Sequence, residues 1–353
     1  MLVNSPVPAK RIFQSGEEFS HLHIIKDIAV LQYILKRLLL AIPLLLVISI
    51  VTFLLIRLAP GDPTKMFISP RTRPEDREQI KKNLGLDRPL HIQYAIWLKN
   101  LVTKGDLGFS LVNGRPVLES ILERVPATIV LMGTSYVLSI LLSLPLGIFS
   151  AVRQYSFFDY LFTVFSFTGL SLPPFWLALM AIYFFALKLQ WLPPMGMSYV
   201  IDGTFIQKTG DLLWHLALPV AVLTIRNLAS WSRYIRSSLL EVLGEDYIRT
   251  AYSKGLSELQ VILRHGLKNS LLPLITIVGL SLPDILAGAF IIEFIFAWPG
   301  MGRLGMEAVF HRDYSILMGD IFISSVLVIL ANILADVSYA AADPRIRLEG
   351  DGA

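Results

Sequence analysis

The chain has 353 residues, of which 54% are hydrophobic and only 16% charged, and its mean hydropathy is +0.61. Soluble domains carry about 25% charged residues, so these values exclude an ordinary soluble enzyme and indicate a polytopic membrane protein. With no cysteine there is no disulfide framework, thiolate nucleophile or Cys-based metal site, and the net charge of +4 lacks the dense basic run of a nucleic-acid binder.

Residues 1–32 are mixed and weakly patterned and read as a cytoplasmic N-terminal extension. They lack the apolar core and small-residue cleavage site of a signal peptide. His21 and His23 stand two apart, a poor metal signal by themselves. The first transmembrane helix is placed at 33–57. Leu38 to Ile56 carries no charge and at 1.5 Å per residue spans roughly 28 Å, enough to cross the hydrocarbon core. Lys36 and Arg37 precede it, which places its start in the cytoplasm. Pro60, Gly61, Asp62 and Pro63 then enforce a turn.

A long external loop, 58–126, follows, with a charged, helical piece around Pro74 to Leu86. A loop of that length needs a reason. It is either an amphipathic lid on the membrane surface or a scaffold for an external partner. Five further spans form a core over 127–343: Thr128–Val152, Tyr160–Leu187, Leu212–Trp231, Leu271–Ile292 and Ser315–Val337. Pro173 and Pro174 must kink or break the third. Such breaks survive in a membrane only where the freed carbonyls face protein or water. Arg226 and Asn227 lie near the inner end of the fourth, within snorkelling reach of the interface. In the fifth, Asp284 directly follows Pro283 and can cap a helix restart. Asp320 is unusual within the apolar sixth, whereas Asp336 is near enough to its inner end to be solvated. Polar and ionisable residues at membrane depth mark pathways by default, so Asn227, Asp284 and Asp320, with the helix break at Pro283, are the candidate substrate-pathway residues. A cytoplasmic tail, 344–353, closes the chain.

Six spans place both termini on one side. The tails and short loops assigned inside hold about 14 Lys and Arg against about 4 in the two short outside loops, so the expected arrangement is N-in and C-in.

The stretch Asp246–Pro273, within a loop spanning 239–273, is polar and basic between apolar runs, and its pattern is helix, break, helix. Asp246 is placed as the cap of the first helix. Gly255 reads as its stop, since glycine takes a left-handed backbone at little cost. Ser257 opens the second helix, with Gln260 three residues on in capping-box spacing. Ile248, Ala251, Leu259, Ile262, Leu263 and Leu267 recur near a 3.6-residue period and are expected on one apolar stripe.

This stretch resembles the EAA loop of ABC importer permeases, whose pattern is E-A-A, three residues, G, nine residues, I-x-L-P. Arg249, Thr250 and Ala251 stand at E-A-A, Gly255 at the glycine, and His265, Gly266, Leu267 and Lys268 at I-x-L-P. Only Ala251, Gly255 and Leu267 keep the general consensus. The departures, with LAPGDP after the first span, WPGMGRL at Trp298–Leu304 and the ending ADPRIRLEG, are similar to the dipeptide, oligopeptide and nickel branch. The resemblance runs from about Tyr33 to Leu348.

It implies an all-α membrane protein of the type I ABC importer permease fold with six transmembrane helices, in the bacterial inner membrane. It implies a second homologous permease subunit, two ABC ATPase subunits and a substrate-binding protein, periplasmic or lipid-anchored, as partners. The coupling loop that docks on the ATPase would comprise Asp246, Tyr247, Arg249, Thr250, Ala251, Lys254, Gly255, Leu256, Ser257, His265 and Leu267. No cofactor is expected in this chain; ATP and Mg would reside on the ATPase partners. In agreement, the chain has no G-x-x-x-x-G-K-[ST] phosphate loop, and neither H-E-x-x-H nor G-x-S-x-G occurs. Peptides are the expected substrates, with nickel chelates or glutathione as alternatives within the branch. From another class, an ion-coupled secondary transporter would have to use Asp284 and Asp320 as its anchors.

Overall fold

The structure, a computed structural model, describes residues 10–58, 87–200, 202–281 and 290–342. Among these the chain is helical, with no strand beyond one isolated bridge between Phe109 and Pro116. In order, α1 is Lys10–Leu58, α2 is Leu90–Lys104, α3 is Val117–Leu122 and α4 is Val125–Val152. Then come α5, Phe157–Ser171; α6, Pro174–Ala181, continued by a π-helix over Ile182–Lys188; and α7, Phe205–Leu243. The last part holds α8, Asp246–Ser253; α9, Glu258–Gln260, continued by a π-helix over Val261–Gly266; α10, Leu267–Leu280; α11, Phe290–Ile295; α12, Met301–His311; and α13, Tyr314–Ala342.

Four described segments are long and apolar enough to cross a membrane: Leu31–Leu58, Val117–Val152, Phe205–Leu243 and Tyr314–Val337. The segment expected as the third span breaks where Pro173 and Pro174 were expected to kink or break it. Phe157–Ser171 and Pro174–Lys188 meet at 106°, because Pro174 removes an intrahelical N–H and Pro173 is extended, at ψ 132°. The expected fifth span begins in α10, and its later part, 282–289 with Pro283 and Asp284, lies outside the described residues.

The central packing is α4 on α7, and its cause is a stripe of small side chains. Ser135, Ser139, Ser143 and Gly147 recur every four residues on α4 and are all buried. A Cβ on Gly147 would sit 2.7 Å from Ile235 Cβ and 2.8 Å from the Ser232 carbonyl oxygen, so the two backbones pass almost in contact. In lipid, helices associate through such close packing, since the hydrophobic effect gives no net drive there. Tyr136 and Trp231 meet edge to face at 5.0 Å. The chain expected the fourth span to end at Trp231; α7 instead runs on to Leu243, three turns further. Arg226 is on its exposed side and Asn227 is half-buried.

Pairs along the bundle define two ends. Thr224 donates to the Ser135 carbonyl, and Ile235 faces Gly147, so α4 and α7 run parallel. Gly319 near the start of α13 lies against Val117 and Ile121, just ahead of α4. The starts of α4, α7 and α13 therefore share one end, the outer end by the charge asymmetry. At the other, inner end, α1 runs antiparallel to α13. There the Tyr33 hydroxyl donates to Asp336 at 2.6 Å, and Arg37 pairs with the same carboxylate at 3.1 Å. Asp336, expected to be within reach of solvent, is partly exposed and is also held by two protein donors.

Candidate functional site

The polar stretch of the sequence forms a compact handle on the inner extension of α7. Glu245, extended at φ −73° and ψ 148°, takes the N-cap position, and Asp246 is the first residue inside α8. The expected cap was Asp246; the shift by one residue leaves its carboxylate beside Arg249 at 3.4 Å on the exposed face. α8 ends at Ser253 with Lys254 as its C-cap, and Gly255 follows at φ +79°, the left-handed conformation that stops the helix. The next turn opens as expected. Ser257 and Gln260 form a capping box, in which the Ser257 N–H donates to Gln260 Oε1 at 3.2 Å.

The expected apolar stripe holds in α8 and fails beyond it. Ile248 and Ala251 are buried with Val261 against Val242, Leu243 and Leu256. Ile262 is buried too, but Leu259 and Leu263 are 65% and 52% exposed. Leu259 lies in the three-residue α9, after the Gly255 turn has already interrupted the stripe; for Leu263 the physical reason is the π-helix over Val261–Gly266. Its wider turn breaks the 3.6-residue register, so Val261 and Gly266 take the inward positions. A Cβ on Gly266 would lie 3.2 Å from Leu239 Cδ1, which seats the handle closely on α7.

Three features of the handle now have physical causes. Ala251 is at a buried contact, Gly255 at a positive φ, and Leu267 half-buried where α10 begins. Tyr247, Arg249, Thr250, Lys254, Ser257 and the stretch's Tyr252 are exposed, while Leu256 and His265 are half-buried. The handle thus presents Tyr247, Tyr252, Leu259 and Leu263 on its surface above a small fixed core.

An ion pair ties together the inner ends of α4, α5 and α7. Arg236, two turns before the end of α7, donates from Nε and Nη2 to the two Asp159 oxygens, at 2.9 and 3.0 Å. The Ser150 hydroxyl and the Tyr155 N–H also donate to this carboxylate. Asp159 is buried, and such a bidentate pair is geometrically specific. Sequence reasoning missed it. The available signal was Ser156 three residues before Asp159, a capping spacing confirmed by the Asp159 N–H donating to the Ser156 hydroxyl.

At the outer end a second buried carboxylate organises the WPGMGRL segment. Glu293 accepts from the Thr128 hydroxyl at 2.7 Å and from the Arg303 N–H at 3.2 Å. Thr128 in turn accepts from the Met301 N–H at 2.9 Å, and the Trp298 indole N–H donates to the Ala127 carbonyl at 2.8 Å. Together these groups satisfy the first N–H groups of α12, which would otherwise be orphaned. The glycines of the segment are required by space. A Cβ on Gly300 would fall 2.3 Å from the Glu293 carboxylate, and one on Gly302 2.5 Å from Phe290 Cα.

Of the pathway candidates, Asp320 is fully buried, and neither of its oxygens has a hydrogen-bond partner among the described residues. It packs where Gly305 has no side chain; a Cβ there would be 2.7 Å from Asp320 Oδ2. Asn227 is half-buried on α7, far along the chain from Asp320, and the two do not converge on one described cavity.

Against known proteins, residues 143–348 match the model of the binding-protein-dependent transport system inner membrane component, and residues 30–132 match its N-terminal membrane component. The oligopeptide transport system permease protein AppB of Bacillus subtilis is 44% identical over 315 residues, covering 89% of this chain and 98% of that protein. The dipeptide transport system permease protein DppB of Alkalihalophilus pseudofirmus is 40% identical over 333 residues, covering 90% and 99%. The glutathione transport system permease protein GsiC of Salmonella paratyphi A is 38% identical over 317 residues, again covering 90% and 99%.

Proposed function

The chain belongs to the inner membrane components of binding-protein-dependent transport systems, the ABC importer permeases, and from that premise we propose that it carries di- or oligopeptides across the membrane in response to ATP hydrolysis on separate subunits. It is a multi-pass protein of the inner membrane that works with ATPase components. The finer assembly we propose is two homologous permeases, two ATPases bearing ATP and Mg, and an external binding protein that delivers the substrate, with no hydrolytic chemistry in this chain.

The observation that carries the reading is the handle: a short helix, a left-handed glycine and a second helix, fixed on α7 and exposing Tyr247, Tyr252, Leu259 and Leu263. Closure of an ATPase dimer against such a surface would move α7 as a lever. The α4 contact at Gly147 and the Arg236–Asp159 pair would pass that movement to α4 and α5. A ligand shifts a conformational equilibrium only through unequal binding to its states, so nucleotide must change the fit of the ATPase to the handle. In the same reading, Asn227, Pro283, Asp284 and Asp320 face the translocation pathway in at least one state. Peptide as substrate is supported by the oligopeptide and dipeptide relatives; the glutathione relative also transports a peptide-like molecule.

The test is uptake into liposomes holding the full assembly. ATP-dependent accumulation of labelled peptides, lost when the binding protein is omitted, is expected. Uptake that persists without the ATPases and follows an imposed ion gradient would replace this reading with a secondary transporter.

A further inference from the structure

At the outer end, the close of α1, the helix α2, the turn around Gly108 and the start of α13 enclose a cavity of about 610 Å³. Arg57 lies on its wall, half-buried, with the Phe53 ring 5.4 Å beneath its guanidinium and no carboxylate within ion-pair distance among the described residues. Trp97 also lines the cavity, and its buried indole N–H has no hydrogen-bond partner among the described residues. Asp106 lines the same cavity; its Oδ1 accepts the Gly108 N–H at 2.8 Å, which leaves the second oxygen without a protein donor among the described residues. The rest of the wall is largely apolar, with Phe109 and Met318.

An unpaired arginine and an unpaired indole donor in a half-enclosed site call for an oxyanion, and guanidinium matches phosphate in shape and charge. A carboxylate oxygen in the same cavity calls for an ammonium donor. The site also sits at the end of a span whose other face, Leu54, Leu55 and Leu58, is exposed and apolar. That depth is where phospholipid headgroups lie. We propose that this cavity binds the headgroup of a phospholipid bearing both a phosphodiester and a primary ammonium, the phosphate on Arg57 and Trp97 and the ammonium on Asp106. The site is separate from the handle and does not depend on which solute is transported.

Native mass spectrometry of the detergent-purified full chain, supplied with phosphatidylethanolamine, phosphatidylcholine or phosphatidylglycerol, tests this. Phosphatidylethanolamine should be retained preferentially, and Arg57→Gln should lower its retention at least about tenfold, the scale of a lost charge-assisted bond. Trp97→Phe keeps the ring and should weaken retention of all three lipids if Arg57→Gln fails to fold. Asp106→Asn should erase the preference for the ammonium over the trimethylated headgroup, and Lys208→Gln, a cation outside the cavity, should change nothing. Equal retention in Arg57→Gln or, where that variant does not fold, in Trp97→Phe would overturn the proposal. So would displacement of the lipid by glycerophosphoethanolamine or by a free dipeptide at similar concentration, which would make the ligand a soluble zwitterion.

Discussion

Substitution at Gly255 separates backbone geometry from the proposed contact with the ATPase. The residue sits at φ +79°, and a Cβ added there meets nothing within 4 Å. Alanine therefore encounters no clash, and its whole cost is the left-handed backbone, roughly 1–2 kcal/mol for an L-residue. That is about a 5- to 30-fold loss in the population of the native turn. Asparagine tolerates this region better and should recover most of the loss. Arginine has the same backbone cost as alanine, and in the isolated chain its side chain points into open space. Any further loss of function in Gly255→Arg must come from a partner surface. The assay is peptide-stimulated ATP hydrolysis by the reconstituted assembly, with ATPase co-purification measured in parallel. The expected order of coupling is Gly, Asn, Ala, then Arg, with Arg abolishing it while the thermal midpoint of the purified chain stays near that of Ala. If Gly255→Arg and Gly255→Ala couple and co-purify equally, the handle does not touch the ATPase and the lever reasoning fails. A midpoint for Gly255→Ala lowered by the equivalent of about 4 kcal/mol, the range of core disruptions, would refute the open-space geometry.

Other perturbations follow from the same geometry. Leu259→Ser with Leu263→Ser should leave the thermal midpoint of the chain almost unchanged, since both side chains are more than half exposed, yet sharply reduce ATPase co-purification; retention of the ATPase would count against the exposed face as its seat. Arg236→Met leaves the buried Asp159 carboxylate without its bidentate partner and should destabilise the chain by about 3–5 kcal/mol, read as loss of helical signal on heating; adding Asp159→Asn should restore much of that. Gly300→Ala, whose Cβ would fall 2.3 Å from the Glu293 carboxylate, should destabilise strongly, whereas Gly133→Ala, with nothing within 4 Å, should be neutral in the same melt.

How much of this was legible in the chain depends on the range of the interaction that decides it. Helix starts and stops are local. Gly255 as a stop and Ser257 with Gln260 as a restart could be read directly, because a left-handed backbone and a capping box depend on residues within one turn. Membrane class and the first and last spans were equally legible, since apolar run length needs no knowledge of neighbours. Asp246 was misplaced by one position because Glu245 and Asp246 offer equivalent carboxylates and only the backbone angles choose between them.

The tertiary structure decided what depends on close approach. Leu259 and Leu263 suited the buried stripe by period, but the turn at Gly255 and the π-turn over Val261–Gly266 left them on the surface. The four-residue spacing of Ser135, Ser139, Ser143 and Gly147 was visible in the letters, but its meaning came only with Ile235 and the Ser232 carbonyl lying against it. The buried carboxylates of Asp159 and Glu293 were likewise settled by donors distant along the chain, Arg236 and Thr128. Hydropathy and turn chemistry act through neighbours in sequence and so are written in the chain. A buried charge or a missing Cβ acquires its energy only from what folding brings against it, and that is a property of the fold.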